Sequence, residues 1–171
     1  NVYTVAGNGS LSFSGDGEDA TSAAINRPFG LAFDKTGNMY ISDTYNSVIR
    51  KVNKQTGKIS TIAGKVLDYS YSGDNGPATN ATLSRQTGLV CDQTRNILYI
   101  ADTFNARIRK INLNTGYIYS VAGNGNQTYT EDNIQATSAS INNVYGIDLD
   151  KDGNLYLSDR FNHRIRKVNV T

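Results

Sequence analysis

Short runs rich in tyrosine, isoleucine, leucine and valine recur along the chain, and polar turn residues separate them. Tyrosine, isoleucine and valine favour strands, whereas glycine, asparagine and serine favour turns. Several of the polar segments carry glycine with asparagine or threonine, as tight hairpins require. The pattern therefore predicts an all-β chain of short antiparallel strands.

One stretch of this pattern occurs three times and organises the sequence. It begins at Tyr40, Tyr99 and Tyr156, and each copy continues through Asp, a short turn and an Ile-Arg-Lys segment. The copies follow one another at roughly 58 residues, and a fixed period of this kind indicates a propeller or a solenoid. The connections between copies contain the rest of the chain.

Each copy is predicted to contain four strands. In the first copy these are residues 30–34, 39–42, 48–52 and 59–62. Four antiparallel strands in such a short segment are typical of one propeller blade. The second copy has an additional residue and no glycine in its first turn, residues 93–97, which predicts a wider turn or a bulge.

The repeat gives one domain, residues 1–171, with four parts. We expect a closing strand in residues 1–7, blade 1 in 28–64, blade 2 in 86–123, and blade 3 in 144–171 without its fourth strand. The connections contain Ala-Thr-Ser-Ala or a similar piece, which favours a helical turn capped by Thr or Ser. The apolar residue that follows it, Ile25, Leu83 or Ile141, is predicted to fix the connection to the blade.

These motifs resemble NHL repeats of the kind with long connecting loops. The resemblance rests on Ala6-Gly7-Asn8-Gly9, Ser14-Gly15-Asp16-Gly17, Ala20-Thr21-Ser22-Ala23, Pro28, Gly30, Asp34, Gly37-Asn38, Tyr40-Ile41-Ser42-Asp43-Thr44 and Ile49-Arg50-Lys51. It covers nearly the whole chain and implies a propeller of six or sometimes five blades. The third copy departs from it at residues 130–134, and the second has Gln86-Thr87 in place of the proline.

Three blades cannot close a ring, because known propellers have about four to eight. The chain opens on a sequence typical of a fourth strand and ends on one typical of a third. We expect strand complementation between chains, giving a ring of two chains or a filament. The alternative is a fragment of a longer propeller. The predicted complementation edge comprises Val2, Tyr3, Thr4, Val5, Ile165, Arg166, Lys167 and Val168.

A polar motif of aspartate, asparagine and arginine recurs in every copy. Its members are Asp43, Asn46, Arg50, Asp102, Asn105, Arg109, Asp159, Asn162 and Arg166. A catalytic site needs polar groups that converge at one place, so repetition favours a structural role. We expect the aspartate to cap turn amides, and the arginine to bridge to it or to the next blade. The aromatic residues beside it, Tyr45, Phe104 and Phe161, are predicted to pack between blades.

The formal net charge of +2 gives no general attraction for nucleic acid, and no apolar run is long enough to span a membrane. The single histidine, His163, excludes a zinc site built from histidines and does not match the metal-binding histidines of NHL-like lyases. The single cysteine, Cys91, occupies an apolar repeat position and cannot form an intrachain disulfide. No cofactor is expected, although the loops at Asp16, Asp74 and Asp132 offer oxygen ligands suitable for calcium.

Four glycosylation sequons occur, at Asn8, Asn80, Asn126 and Asn169. Three of them lie in the long connections, where a glycan can be accommodated. The sequence therefore favours a non-enzymatic, extracellular or cell-surface glycoprotein that assembles with copies of itself and has protein or glycan partners. Two alternatives are open: a propeller face that binds a protein, a glycan or RNA, and an enzyme of the NHL-like lyase or lactonase type.

Overall fold

The computed structural model describes residues 1–169 and consists of β-strands joined by turns and one-turn 3-10 segments. This confirms the predicted all-β class. The strands are β1 Leu31–Phe33, β2 Met39–Asp43, β3 Val48–Val52, β4 Ile59–Ala63, β5 Gly76–Pro77, β6 Leu89–Asp92, β7 Ile97–Asp102, β8 Arg107–Asn112, β9 Tyr117–Ala122, β10 Val144–Leu149, β11 Leu155–Asp159 and β12 Arg164–Val168.

Three antiparallel sheets form, which we call blades 1, 2 and 3. Blade 1 has the order β1-β2-β3-β4, blade 2 has the order β5-β9-β8-β7-β6, and blade 3 has the order β10-β11-β12. The register of the two central strands is the same in each, since Tyr40 lies opposite Lys51 and Tyr99 opposite Lys110. The repeat in sequence is therefore a repeat in structure.

Within the described residues 1–169 of one chain, residues 2–5 belong to no sheet, and their pairing with another chain stays a prediction. The short strand β5, which pairs with β9 at the outer edge of blade 2, was not predicted. The first turn of blade 2 is a wide turn with Asn96 in the left-handed region, and the β6–β7 register has no bulge.

The connections run along the outer edges of the blades and each carries a 3-10 turn, at Ala20–Ser22, Ala78–Asn80 and Ala136–Ser138. The predicted turn is present, but the predicted capping by Thr or Ser is wrong. No side chain caps these turns, since a segment of three residues closes on backbone hydrogen bonds alone. Leu83 and Ile141 are buried in the core, as expected of residues that fix a loop to its blade.

The core lies between adjacent blades. Ile49 and Ala63 of blade 1 pack in one cluster with Leu83 and Leu89 from the blade 2 side. Cys91 is half-buried beside this cluster, and burial raises the pKa of its thiol to about 11. Each blade therefore uses the face of the next one to bury its own apolar side chains.

Polar side chains also join the blades, and the sequence analysis did not identify them. The Thr44 hydroxyl donates to the Gln86 carbonyl at 2.8 Å, and the Gln86 amide donates to the Val48 carbonyl at 2.7 Å. Between blades 2 and 3, the Thr103 hydroxyl donates to the Val144 carbonyl at 2.9 Å. The blades are held at fixed positions by buried hydrogen bonds as well as by apolar packing.

Gly123 directly follows β9 and lies against the backbone at the start of β8, and its replacement tests this close approach within blade 2. A Cβ at Gly123 would lie 2.2 Å from the Ala106 carbonyl oxygen, whereas a Cβ at Gly116 has open space around it. Both glycines have positive φ, so Gly116→Ala measures the backbone strain alone, about 1–2 kcal/mol. We expect Gly123→Ala to lower the free energy of unfolding by at least about 2 kcal/mol more than this. Equal urea midpoints for the two variants would contradict the close contact.

Candidate functional site

The repeated polar motif forms a buried ion pair in each blade. In blade 1, the Asp43 carboxylate accepts hydrogen bonds from the Asn26 backbone at 2.8 Å and from the Asn46 amide at 2.9 Å. The Arg50 guanidinium lies 3.4 Å from the same carboxylate and 2.8 Å from that of Asp16 in the long connection. The motif therefore attaches the connection to the outer part of the blade.

The other blades repeat this arrangement. Arg109 pairs with Asp102 at 3.4 Å and Asp74 at 2.7 Å, and Arg166 pairs with Asp159 at 3.5 Å and Asp132 at 3.0 Å. Burial raises the pKa of Asp102 to about 6 and also raises the pKa of Asp43, against the opposing effect of their hydrogen bonds. Asn105 and Asn162 donate to Asp102 and Asp159, as Asn46 does to Asp43.

Most of the charged residues that the sequence analysis named as candidates take part in these ion pairs. The carboxylates of Asp16, Asp74 and Asp132, which were candidates for calcium binding, each lie beside an arginine. A guanidinium at this distance opposes the approach of a cation. Within residues 1–169, no group of three or more His, Cys, Asp or Glu side chains could hold a metal ion.

The predicted packing between blades is wrong for Phe104 and Phe161, which are about half exposed. Tyr45 is partly buried and contacts Arg27 and Arg85, which precede blade 1 and blade 2. Each of the three aromatic residues is the middle residue of a one-turn 3-10 segment at the end of its blade, so its side chain points away from the sheet. His163 follows the third of these turns and is exposed on the same end of the blade.

The edge of blade 3 contains the most distinctive surface of the chain. A groove of about 560 Å³ runs between β12 and the connection that precedes blade 3. Its floor is apolar, with Ala136, Ala139, Ile141 and Leu157, and its walls are residues 132–134 and 164–169. β12 is the edge strand of its sheet.

In the other two blades a fourth strand fills the equivalent space. β4 pairs with β3 on one side, and on the other side the Ile59 backbone exchanges hydrogen bonds with Gly17 and Glu18 of the connection. β9 pairs with β8 and, on its other side, with β5. The groove of blade 3 correspondingly lies between the edge strand β12 and residues 132–134 of the connection.

One apolar residue of β12, Ile165, is far more exposed than its equivalents in the other blades. Ile165 is 73% exposed, whereas its equivalents Ile49 and Ile108 are both 0% exposed. In blades 1 and 2, Ile49 and Ile108 lie opposite Ala63 and Ala122 at the end of the fourth strand. Ile49 and Ile108 also pack against the following blade, in the clusters that contain Leu83 and Ile141. Among the described residues, Ile165 has neither a fourth strand nor a following blade beside it.

The N-terminal segment has the complementary properties. Its Gly7 amide donates to the Ala20 carbonyl at 2.8 Å, as Gly64 does to Ala78 and Gly123 to Ala136. Gly64 and Gly123 directly follow β4 and β9, so Ala6-Gly7 already occupies the place where a fourth strand ends. Val2 before it is fully exposed, and Val5 is largely exposed.

The predicted glycosylation sites lie at the surface. Asn8, Asn80, Asn126 and Asn169 are exposed, while Val170 and Thr171 of the last sequon lie outside the described residues. The Asn8 amide also donates to the Ser22 carbonyl at 2.9 Å. In residues 1–169, no helix has the length and apolar character needed to cross a bilayer.

A substitution in the buried ion pair of blade 2 tests its structural role. Arg109→Met leaves the Asp102 carboxylate without its closest cation in a fully buried position. We expect a loss of about 3–5 kcal/mol in the free energy of unfolding, measured by urea denaturation. The matched control is Arg107→Met two residues away, because Arg107 is only half-buried and forms no ion pair in the described part of the chain. A loss of similar size in both variants would show that the buried pair has no special role.

Comparisons with known proteins agree with the repeat and the sheets. The family model of the teneurin NHL domain matches residues 5–68. NHL repeat-containing protein 2 from Bos taurus is 26% identical over 94% of this chain and 24% of its own length. Teneurin-1 from Gallus gallus is 35% identical over 60% of this chain and 4% of its own length. The chain thus spans about a quarter or less of these relatives.

Among solved structures, a protein of unknown function from Bacteroides thetaiotaomicron superposes with a TM-score of 0.71 and 23% identity. The match covers 92% of this chain and 37% of that chain. The fold of the whole described chain is thus found as a segment of a larger protein. The teneurin and NHL-protein matches confirm the resemblance to NHL repeats that the motifs predict, and the superposition shows that the fold is shared.

Proposed function

We propose that the chain is a non-enzymatic propeller module that joins other copies of itself by strand complementation. The observation that carries the proposal is the groove of blade 3, which matches the space filled by β4 and β9 in the other blades. Residues 2–6 of a second copy have the sequence and the exposure of the strand that fits there.

The repeat fixes the register of this pairing. Ile59, Ser60 and Thr61 lie opposite Val52, Lys51 and Arg50 in blade 1. The equivalent residues place Val2 opposite Val168, Tyr3 opposite Lys167 and Thr4 opposite Arg166. Val2 then occupies the position of Ile59 and Ile118, both of which are fully buried.

Burial of apolar surface provides the driving force. A fully exposed valine and a largely exposed isoleucine would both enter the interface, each contributing about 1.5–3 kcal/mol if completely buried. The backbone edges on both sides of the groove would gain hydrogen bonds at the same time. Two chains that exchange strands reciprocally give six blades, and a contact that does not close gives a filament.

A non-enzymatic role is supported by the distribution of the polar groups. The Asp-Asn-Arg motif is equivalent in the three blades and is attached to the long connections by ion pairs. His163 is exposed, and the equivalent residues of the other repeats are Ser47 and Ala106. Neither of these can act as a general acid or base, so the repeat provides no such group at this position. This distribution supports the proposal over the lyase or lactonase alternative.

An extracellular location is part of the same proposal. It is supported by exposed sequons at Asn8, Asn80 and Asn126 and by the similarity to the teneurin NHL domain. Mass spectrometry of the protein from its native source would detect glycans on these residues. An unmodified mass would remove the main support for this address.

Light scattering of the purified 171-residue chain tests the assembly. We expect a dimer or a larger species, and we expect Val2→Asp to convert it to a monomer, because a buried carboxylate without a partner costs several kcal/mol. The matched control is Leu11→Asp, at an exposed apolar residue of a loop outside the groove.

The control variant should assemble as the unmodified chain does. A monomeric unmodified chain at micromolar concentration would contradict the proposal. Equal assembly of the Val2→Asp variant would contradict the assignment of residues 2–6 to the groove.

A further inference from the structure

Arginine and tyrosine side chains alternate on the end of blades 1 and 2 that carries the exposed aromatic residues. The guanidinium carbon of Arg27 lies 4.4 Å from the ring centre of Tyr45, and that of Arg85 lies 3.6 Å from the same centre. Two guanidinium groups cannot occupy one face of a ring at these distances, so they flank Tyr45. Arg85 is also 5.4 Å from the ring centre of Tyr69. We call Arg27, Tyr45, Arg85 and Tyr69 the Arg–Tyr ladder.

Backbone contacts hold the ladder in place. The Tyr45 amide donates to the Asn26 carbonyl at 3.1 Å, next to Arg27 in the chain. The Tyr69 hydroxyl donates to the Tyr45 carbonyl at 3.2 Å. The cations are therefore presented on a fixed support rather than on free side chains, which reduces the entropy lost when a ligand binds.

The two arginines of the ladder have no anionic partner within residues 1–169. The ion pairs of this part of the chain involve Arg50, Arg95, Arg109 and Arg166. Arg27 and Arg85 instead contact aromatic rings, and their effect is visible in the pKa of Tyr45, which the hydrogen bond from Arg27 and the charge of Arg85 lower. Their outward N–H groups are available to a ligand.

The backbone at these arginines is strained. Arg27 has φ of 50° and Arg85 has φ of 49°, in the left-handed region that costs an ordinary L-residue about 1–2 kcal/mol. The third repeat uses Asn143 at the equivalent place, with φ of 51°, and asparagine tolerates this conformation better. The first two repeats carry arginine at a position where asparagine fits the fold, which indicates a role other than folding.

Apolar rings lie beside the ladder on the same end of the blades. Phe29 is 59% exposed and contacts Tyr145 edge to face at 5.7 Å. Phe104, at the turn of blade 2 equivalent to that of Tyr45, is about half exposed. A ligand that covers this surface needs apolar groups as well as anionic ones.

We propose that the Arg–Tyr ladder and the adjacent phenylalanines bind an extended acidic segment of a partner protein, with carboxylates on Arg27 and Arg85 and apolar side chains on the rings. Guanidinium groups and carboxylates form bidentate hydrogen bonds, and side chains on one face of an extended peptide recur every second residue. A polyanion such as RNA gains affinity with each phosphate that it neutralises. The patch offers Arg27 and Arg85, with Arg160 over the Tyr145 ring at its edge. So few cations on a chain of net charge +2 favour the peptide.

The test uses the 171-residue chain and an array of short peptides that vary independently in acidic and apolar content. We expect binding to the peptides that alternate Asp or Glu with apolar residues, and weaker binding at high salt. The double variant Arg27→Asn, Arg85→Asn copies the residue of the third repeat. It should lower affinity for these peptides by at least about ten-fold while retaining or raising the thermal midpoint.

The matched control is Lys35→Asn, Lys54→Asn, which removes the same charge from two exposed residues that follow β1 and β3 in blade 1. It should bind as the unmodified chain does. Equal loss of binding in both double variants would show that only the net charge matters, and it would contradict a binding site at the Arg–Tyr ladder. No preference for acidic peptides, or tighter binding of a single-stranded RNA that the ladder variant abolishes, would overturn the assignment of a peptide ligand.

Discussion

The pairing of the fourth strand with two backbone edges in blades 1 and 2 is the interaction on which the remaining structure depends. β4 lies between β3 and the connection at residues 17–20, and it supplies Ile59 to the space between them. The strand therefore satisfies two backbone edges and completes an apolar cluster at once. The connection leads directly into the innermost strand of its blade. When the connection is held at the outer edge of the blade, the course of the chain between one blade and the next is therefore also fixed.

The buried arginines also attach the connection to the blade, in this case through ion pairs. Arg50 and Arg109 have no exposed surface, and each links an aspartate at the blade turn with one in the connection. A buried ion pair contributes less to net stability than its distance suggests, because both charges lose their hydration. Its value here is geometric, since a guanidinium with carboxylates at two positions specifies where the connection lies. Arg166 and Asp132 form the same link in blade 3, which has three strands within residues 1–169.

The sequence predicted the features that repeat and missed those that depend on three-dimensional neighbours. The strands containing Tyr40, Tyr99 and Tyr156 followed from their composition and their turns, and the all-β class is confirmed. The link from Thr44 to Gln86 was not predicted, because it joins residues of different repeats whose proximity arises only when blades pack. The packing predicted for Phe104 was wrong, because the turn at the end of the blade leaves about half of its side chain in water. The Arg–Tyr ladder was not predicted either, since Arg27 and Tyr45 belong to segments that only the fold brings together.

Disulfide formation between two chains measures the register of the proposed strand pairing most directly. One chain carries Tyr3→Cys and the other carries Lys167→Cys, in a background where Cys91 is replaced by alanine. The equivalent pair in blade 1, Ser60 and Lys51, lies directly opposite across the sheet, and paired strands bring such side chains within bonding range. The account predicts a cross-linked dimer that forms readily on mild oxidation, and little product when Thr4→Cys replaces Tyr3→Cys, because a shift of one residue turns the thiol to the other face. Absence of the cross-link, or equal yields from the two combinations, would contradict the pairing of residues 2–6 with β12.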